Sequence, residues 1–162
     1  MRVGLITDTH IPDIAEAVPP EVAQVFQGVE LILHAGDIYD ISVIDELGKI
    51  APVLAALGDD DSFRLLQDER IEMKHVLKLE GHTVWLVHER PLLWYNLTPQ
   101  QAEGAPDVIV HGHSHTAKIS DDNGTLFIGS GSPTFLNYRR GLGTVAILDI
   151  TSKGAEASII RL

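Results

Sequence analysis

The sequence predicts an α/β protein in which two mixed β-sheets pack face to face, with helices on the outside. Two observations predict it. Through residue 60, short apolar runs alternate with stretches that begin like helices, as in a parallel sheet covered by crossover helices. Beyond residue 70, apolar runs come in pairs around turn sequences, as in antiparallel hairpins. A third observation concerns where the runs end. RVGLIT leads into Asp8-Thr9-His10, LILHAG into Asp37, VLAALG into Asp59, VWLV into His88, and VIVHG into His113-Ser114-His115.

The elements follow in order. Strand 2–7 precedes a helix that Pro19-Pro20-Glu21 opens and that runs to about Gly28, since proline suits a first helical turn. Strand 30–35 leads to a helix from Ser42, a capping residue type, to Gly48. Strand 53–57 and a short helix near 63–67 complete a βαβαβ unit. Segments 73–79 and 82–88 flank the turn Glu80-Gly81, and Thr98-Pro99-Gln100-Gln101 reads as a helix start. Strand 107–111 follows. Asp122-Asn123-Gly124 separates 117–121 from 124–129, and Lys153-Gly154 separates 143–150 from 156–161. The loop 89–97 is the irregular segment nearest the carboxyl ends of the strands. A length of 162 residues with no repeat or linker predicts one domain, 1–162.

Composition narrows the chemistry. The absence of cysteine excludes disulfides, thiolate metal sites and cysteine nucleophiles. Acidic residues outnumber basic ones 23 to 12, for a net charge of −11, which argues against extended nucleic-acid binding and suits a protein that holds cations. No apolar run approaches the roughly 18 residues of a membrane span, and the run after Arg2 is too short for a signal peptide. A cytoplasmic location without membrane attachment is the resulting expectation.

In open α/β sheets, reactive groups gather where strand carboxyl ends converge. Asp8, His10, Asp37, Asp59, His88, His113 and His115 all stand at such ends. Carboxylates and imidazoles without thiols form the donor inventory of a two-metal site, which clamps the attacking and leaving oxygens of a displacement. Side chains two apart on extended backbone point the same way, so Asp8 with His10, and His113 with His115, can serve one site.

The D-x-H, G-D, G-D-D, H and G-H-S-H blocks, in this order over nearly the whole chain, resemble the calcineurin-like metallophosphoesterases, in particular their small single-domain prokaryotic phosphodiesterases. The resemblance implies a two-sheet sandwich flanked by helices. It implies a first metal held by Asp8, His10, Asp37 and His115, and a second held by Asp37, Asp59, His88 and His113, with Asp37 as bridge. It also implies two divalent cations, manganese first, with iron, zinc, nickel or cobalt as alternatives. A hydroxide bridging them would attack the phosphorus of a small phosphodiester.

Departures from the family pattern carry their own expectations. Asp59 replaces an asparagine ligand, and Asp60 stands where the family places the histidine that protonates the leaving group. A carboxylate is a poor acid at neutral pH, so diesters with good leaving groups are the expected substrates. Asp37, Asp60 and His113 are the candidate catalytic residues. Arg90, in His88-Glu89-Arg90 where the family has H-G-H, and Arg139, after the Gly129–Ser132 stretch, are candidates for contacting a substrate phosphate. His34 and His111 are either supports for the ligands or satisfied core histidines, and His75 and His82 read as ordinary strand or turn residues. Trp94 and Tyr95 line the site or cap the core. Two rival readings remain: a non-catalytic interaction scaffold, for which the family has a precedent in a retromer subunit, and a phosphomonoesterase. A homo-oligomer stays open.

Overall fold

The computed structural model describes residues 1–91 and 105–162. The helix start at Thr98, the loop from Leu92 onward, and Trp94 and Tyr95 lie outside the described residues.

The first sheet contains six strands. Its centre is β1 (Arg2–Ile6), β2 (Leu31–His34) and β3 (Val53–Ala56), paired parallel and joined through α1 (Pro20–Val25) and α2 (Ile41–Leu47). Parallel pairing follows from the crossover helices, because a hairpin turn cannot connect strands that run the same way. Pro20 sits in the first turn of α1, as its sequence predicts. The cap of α2 is Asp40, whose carboxylate accepts from the Ser42 amide, so the cap stands two residues before the expected Ser42. β3 is followed by a 3₁₀ turn (Phe63–Gln67) and by β4 (Ile71–Glu72), a two-residue parallel edge strand too short to leave a sequence signal.

The second sheet has the order β5 (His75–Leu79), β6 (His82–Leu86), β7 (Val108–His111), β9 (Thr125–Ser130), β8 (Ala117–Asp122). β5–β6 and β8–β9 are the expected hairpins, but β6, β7 and β9 pair parallel, so this half also presents strand carboxyl ends together. The last hairpin, β10 (Thr144–Thr151) and β11 (Gly154–Arg161), joins the first sheet beside β1. The fold class read from the sequence therefore holds, with the terminal hairpin extending the first sheet.

Strand alternation sets the layers. Val3, Leu5, Leu31 and Leu33 of the first sheet meet Val84, Leu86, Val108, Val110 and Ile128 of the second in a buried core between the sheets. Ile6 and Ile32 face the other way, onto Val22, Phe26, Ile44 and Leu47 of the helices and their ends. Burying each such aliphatic side chain stabilises by about 1.5–3 kcal/mol. Truncating the fully buried Leu33 to alanine would cost about 2–5 kcal/mol and loosen the frame of the site. Among the described residues no helix is long and apolar enough to cross a membrane.

Candidate metal centre

The carboxyl ends of β1, β2, β3, β6 and β7 meet at one edge, and the segments that follow them carry the seven candidate ligands. The backbone there is not extended. Asp8, His10, Asp37, His113 and His115 have φ between 47° and 68°, in the left-handed region. Each non-glycine residue there costs roughly 1–2 kcal/mol relative to ordinary backbone, and Asp and His tolerate it better than most. Sharp turns of this kind, rather than strand alternation, aim these side chains, which corrects the expectation of extended D-x-H and H-S-H segments. His113 and His115 accordingly fall into different clusters.

Two glycines allow the loops to close in. A Cβ on Gly58 would land on the carboxylate and amide of Asp37, and one on Gly112 would land on Thr7 beside the Asp8 carboxylate. Both positions lie on the approach between one donor loop and the next. Alanine at either would push a donor out of place.

The donors form two groups. Asp8, His10, Asp37 and His115 offer atoms within 4.8 Å of one another and are all buried; Asp59, His88 and His113 form the second group, with Asp59 and His113 at the surface. Asp37 lies between them, its Oδ2 3.7 Å from His10 Nε2 and 3.5 Å from His88 Nε2. His10 Nε2 and His115 Nε2 face each other at 3.1 Å.

Several of these atoms point lone pairs at one another. His88 uses Nδ1 to donate to the Ala35 carbonyl at 2.7 Å, and His115 uses Nδ1 to donate to the Phe135 carbonyl at 3.1 Å. In the neutral ring each Nε2 is then an acceptor aimed into the site. His88 Nε2 lies 2.7 Å from Asp59 Oδ1 yet makes no hydrogen bond, and the buried Asp8 Oδ2 has no partner either. Buried acceptors left unpaired are costly unless a cation joins them. Divalent cations fit both groups. The donor set of imidazole nitrogens and carboxylate oxygens suits Mn, Fe, Zn, Ni or Co without selecting among them.

The electrostatics point the same way. Burial pushes the Asp8 carboxyl up to about 7 and Asp37 up to about 6, with the Asp37 charge adding to the rise at Asp8, and Asp61 and Asp59 adding to the rise at Asp37. Burial, then neighbouring imidazoles, lowers His10 to about 4 and lowers His115. Burial also opposes charge on His88, but Asp37, the Ala35 carbonyl, Asp8 and Asp59 outweigh it and raise that imidazole. Desolvation of Asp59 is likewise outweighed, chiefly by its His113 hydrogen bond at 3.0 Å, and its carboxyl is held below the ordinary value.

Residues outside the donor set fix the loops. Asp61 is buried, and its carboxylate accepts from the amides of Ile38, Tyr39 and Gly58, each at 2.8 Å, tying the loop after β2 to the loop after β3. Sequence reading passed over it as the last of three aspartates, although turn loops are where a carboxylate gathers backbone amides. Ser132 Oγ donates to the Asp8 carbonyl at 2.7 Å and Thr134 Oγ1 to the Thr9 carbonyl at 2.8 Å. His34 is fully buried. Its Nδ1 accepts from the Gly36 amide, so its Nε2 donates to Thr9 Oγ1, and burial lowers its pKa to about 3. It serves as a neutral strut between two donor loops, while buried His75 sits 2.9 Å from the Ala55 carbonyl.

The remaining candidates lie at the periphery. Asp60 is exposed; its amide donates to Asp37 Oδ1 at 3.2 Å, and its carboxylate accepts from the Tyr39 hydroxyl at 3.4 Å. Arg90 lies against Phe127, with Nη2 3.4 Å from Asp122, so it is anchored on the outer face of the second sheet. Arg139 is exposed and makes no side-chain hydrogen bond or ion pair among the described residues, whereas Arg140 donates to the Asp13 and Ile14 carbonyls. The same short segment carries Tyr138, stacked on His115 with ring centroids 4.4 Å apart.

Residues 1–153 match the calcineurin-like phosphoesterase superfamily domain. The chain belongs to that superfamily. It is 33% identical to a probable metallophosphoesterase of Methanothermobacter thermautotrophicus, over 99% of this chain and 92% of the relative. It is 25% identical to a phosphodiesterase of Methanocaldococcus jannaschii, over 94% and 95% of the two chains. Among solved structures, an archaeal phosphodiesterase superposes with a TM-score of 0.77 at 25% identity, covering all of both chains. The zinc complex of Vps29 from Entamoeba histolytica superposes with a TM-score of 0.72 at 19% identity, over 99% of each chain, and shares the fold. Superfamily membership and the two donor groups make this a metal-binding hydrolase of the phosphoesterase class.

Proposed function

We propose that the protein is a phosphodiesterase that works with two divalent cations, manganese first, held by the two donor groups and bridged by Asp37. The observation that carries the proposal is the position of Asp37 Oδ2, within 3.7 Å of imidazole nitrogens from both groups. Asp8, His10 and His115 would complete the buried site; Asp59, His88 and His113 the open one. Two cations supply Lewis acidity toward the phosphoryl oxygens and a water that loses its proton near neutral pH.

The chain's own residues do the rest. Asp37 sets the spacing between the sites, with the Asp60 amide orienting its free oxygen. Asp59 and His113, at the rim, leave the open site accessible to a diester. Asp60, exposed and hydrogen-bonded to Tyr39, is a weak proton source for a leaving alkoxide, which favours substrates whose leaving group departs unaided.

The test is metal analysis of the purified protein together with hydrolysis of bis(p-nitrophenyl) phosphate, with and without added Mn²⁺. Two bound cations and Mn²⁺-stimulated diester hydrolysis are expected. Two bound cations without turnover of any phosphoester would favour the scaffold reading, which shares its fold with Vps29. Faster turnover of p-nitrophenyl phosphate than of the diester would favour a monoesterase.

A further inference from the structure

Basic residues are scarce in this chain, yet two of them, Arg90 and Lys118, line one hollow of about 380 Å³ beside His113. Its shape follows from strand register. Lys118 of β8, Gly129 of β9 and His111 of β7 stand directly opposite one another, so they share one face of the second sheet. The glycine between the other two leaves the floor open. One row along the same face, Ser120, Phe127 and Ile109 stand opposite. The Arg90 guanidinium lies 4.0 Å from the Phe127 ring centre and 3.4 Å from Asp122, which fixes it as a wall. Lys118 has no carboxylate partner among the described residues. The Ser114 and Ser120 hydroxyls add neutral hydrogen-bonding groups to the lining, and Glu89 stands at the mouth, 3.9 Å from His113 Nε2.

The hollow on the other side of Asp59, about 420 Å³, contrasts with it. Leu57, Phe63, Met73 and Val87 line that one, with a single cation, Lys74, already placed over Trp85. The open donor group therefore lies between a hollow that carries Arg90 and Lys118 and one where apolar side chains are joined by Asp59, Asp61 and Glu89. A phosphodiester has two arms, and this site offers them unlike surroundings.

We infer that the hollow at Arg90 and Lys118 is a subsite for a second phosphate group, carried on one alcohol arm of the substrate. The placement on a substrate arm rests on the phosphodiesterase reading. Lys118 and Arg90, whose charge Asp122 partly offsets, together present several N–H donors, which suit the three oxygens of a phosphate monoester better than the two of a carboxylate. The guanidinium fork and the ammonium point charge are the two usual ways of holding such an oxyanion. Glu89 repels an anion from the mouth and so turns it toward Arg90 and Lys118.

Glycerol 3-phosphate serves as the probe, titrated calorimetrically into the metal-free full chain. Saturable binding is expected, weakened about tenfold or more in Lys118→Ala, retained in Lys118→Arg, and stronger than that of monoanionic glycerate. Equal binding by wild type and Lys118→Ala, equal binding of the two probes, or no saturable binding would overturn the subsite. In the Mn²⁺-loaded enzyme, a phosphodiester that joins p-nitrophenol to the 1-hydroxyl of glycerol 3-phosphate, leaving its phosphate monoester free, is compared with methyl p-nitrophenyl phosphate. The ratio of their kcat/KM values should fall about tenfold in Lys118→Ala. Turnover of the methyl diester without phosphate binding or preference sinks the subsite and spares the phosphodiesterase reading. Phosphate binding that depends on Lys118, without turnover of either diester, does the reverse.

Discussion

Asp8, His10, Asp37 and His115 are buried and stand on left-handed backbone, whereas Asp59 and His113 of the second group are about half exposed, and only His113 of that group shares the unusual backbone. The buried group has its geometry fixed in advance by the fold, since Ser132, Thr134, His34 and Asp61 hold its loops from behind. The open group has one buried imidazole, His88, and two solvent-facing side chains. A preorganised, desolvated site binds a cation more tightly than an exposed one, where water competes for the donors and screens the charges. The open site is the one a substrate can reach. For the proposed centre the comparison predicts a division of work: the buried group should retain its cation, and the open group should exchange cation and substrate.

The comparison is broken most directly at Asp37, which belongs to the buried group and reaches to 3.5 Å from His88 of the open one. Asp37→Ala should lose both cations and bring diester hydrolysis to background, because the remaining donors of each group lose their common oxygen. It should also abolish the rise in Tm that added Mn²⁺ is expected to give the wild type, since a ligand stabilises only the state it binds. Unchanged metal content in the variant would sink the bridged arrangement.

The two histidines of the H-S-H segment separate the groups. His115→Ala and His113→Ala should each cost about one metal equivalent. They should differ in kind. His115→Ala removes the tightly held cation, visible as a lower stoichiometry after dialysis against chelator. His113→Ala should remove the weakly held cation, which dialysis against chelator is expected to deplete in the wild type as well. Two metals retained in both variants would mean that neither imidazole is a ligand.

Much of this was legible in the sequence, because apolar runs and their polar ends report directly on buried strands and their carboxyl edges. All seven candidate donors found this way fall in the two groups. Three things were not legible. The left-handed turns at Asp8, His10 and Asp37 leave no signature, since they are imposed by neighbouring loops rather than by local propensity. Asp61 is indistinguishable in sequence from Asp59 and Asp60, although the three side chains face a buried amide cluster, a donor group and solvent. The parallel pairing of β6 with β7, and the addition of β10 and β11 to the first sheet, depend on long-range pairing that turn sequences do not encode. Arg90 shows the same limit: its residue type suggested an anion contact, but only the pairing of β6 with β7 and of β7 with β9 brings the segment after β6 over Phe127.

Acidity sharpens the contrast between the groups. In the metal-free protein Asp8 is raised to about 7 and Asp37 to about 6 by burial, so below those values a cation must displace protons from them. His10, lowered to about 4, stays neutral and does not compete over this range. Affinity at the buried group should therefore be flat above about pH 7 and fall by about tenfold per pH unit for each carboxyl below its pKa. The loss is on the order of 10²–10³ from pH 8 to pH 5. Asp59 is held below the ordinary carboxylate value, so at the open group protons compete through the raised His88 and the shared Asp37, an imidazole and a carboxyl rather than two carboxyls. Chelator competition and calorimetric proton release across that range measure both slopes. An affinity at the buried group that stays flat from pH 8 to pH 5 would contradict the raised Asp8 and Asp37 carboxyls.

The smallest expected effect tests the rim of the open group. Asp60 is exposed, and its contribution to the centre is a backbone amide that any side chain at this position retains. Asp60→Asn should therefore keep its metals and hydrolyse aryl diesters, whose phenolate needs no proton, at close to the wild-type rate. Alkyl diesters leave as strongly basic alkoxides, and a positioned acid typically contributes about 10²–10⁴-fold to such steps. Asp60→His supplies an imidazole with an ordinary pKa near 6.5 at the mouth, without the surrounding geometry that would position it fully. Alkyl turnover should rise by about tenfold, the low end of that effect, while aryl turnover barely moves. The readout is the ratio of kcat/KM values for an aryl and an alkyl diester across the three proteins. Loss of aryl hydrolysis in Asp60→Asn with metal content preserved would make the Asp60 carboxylate an essential group, and the account of a site short of a proton donor would fall.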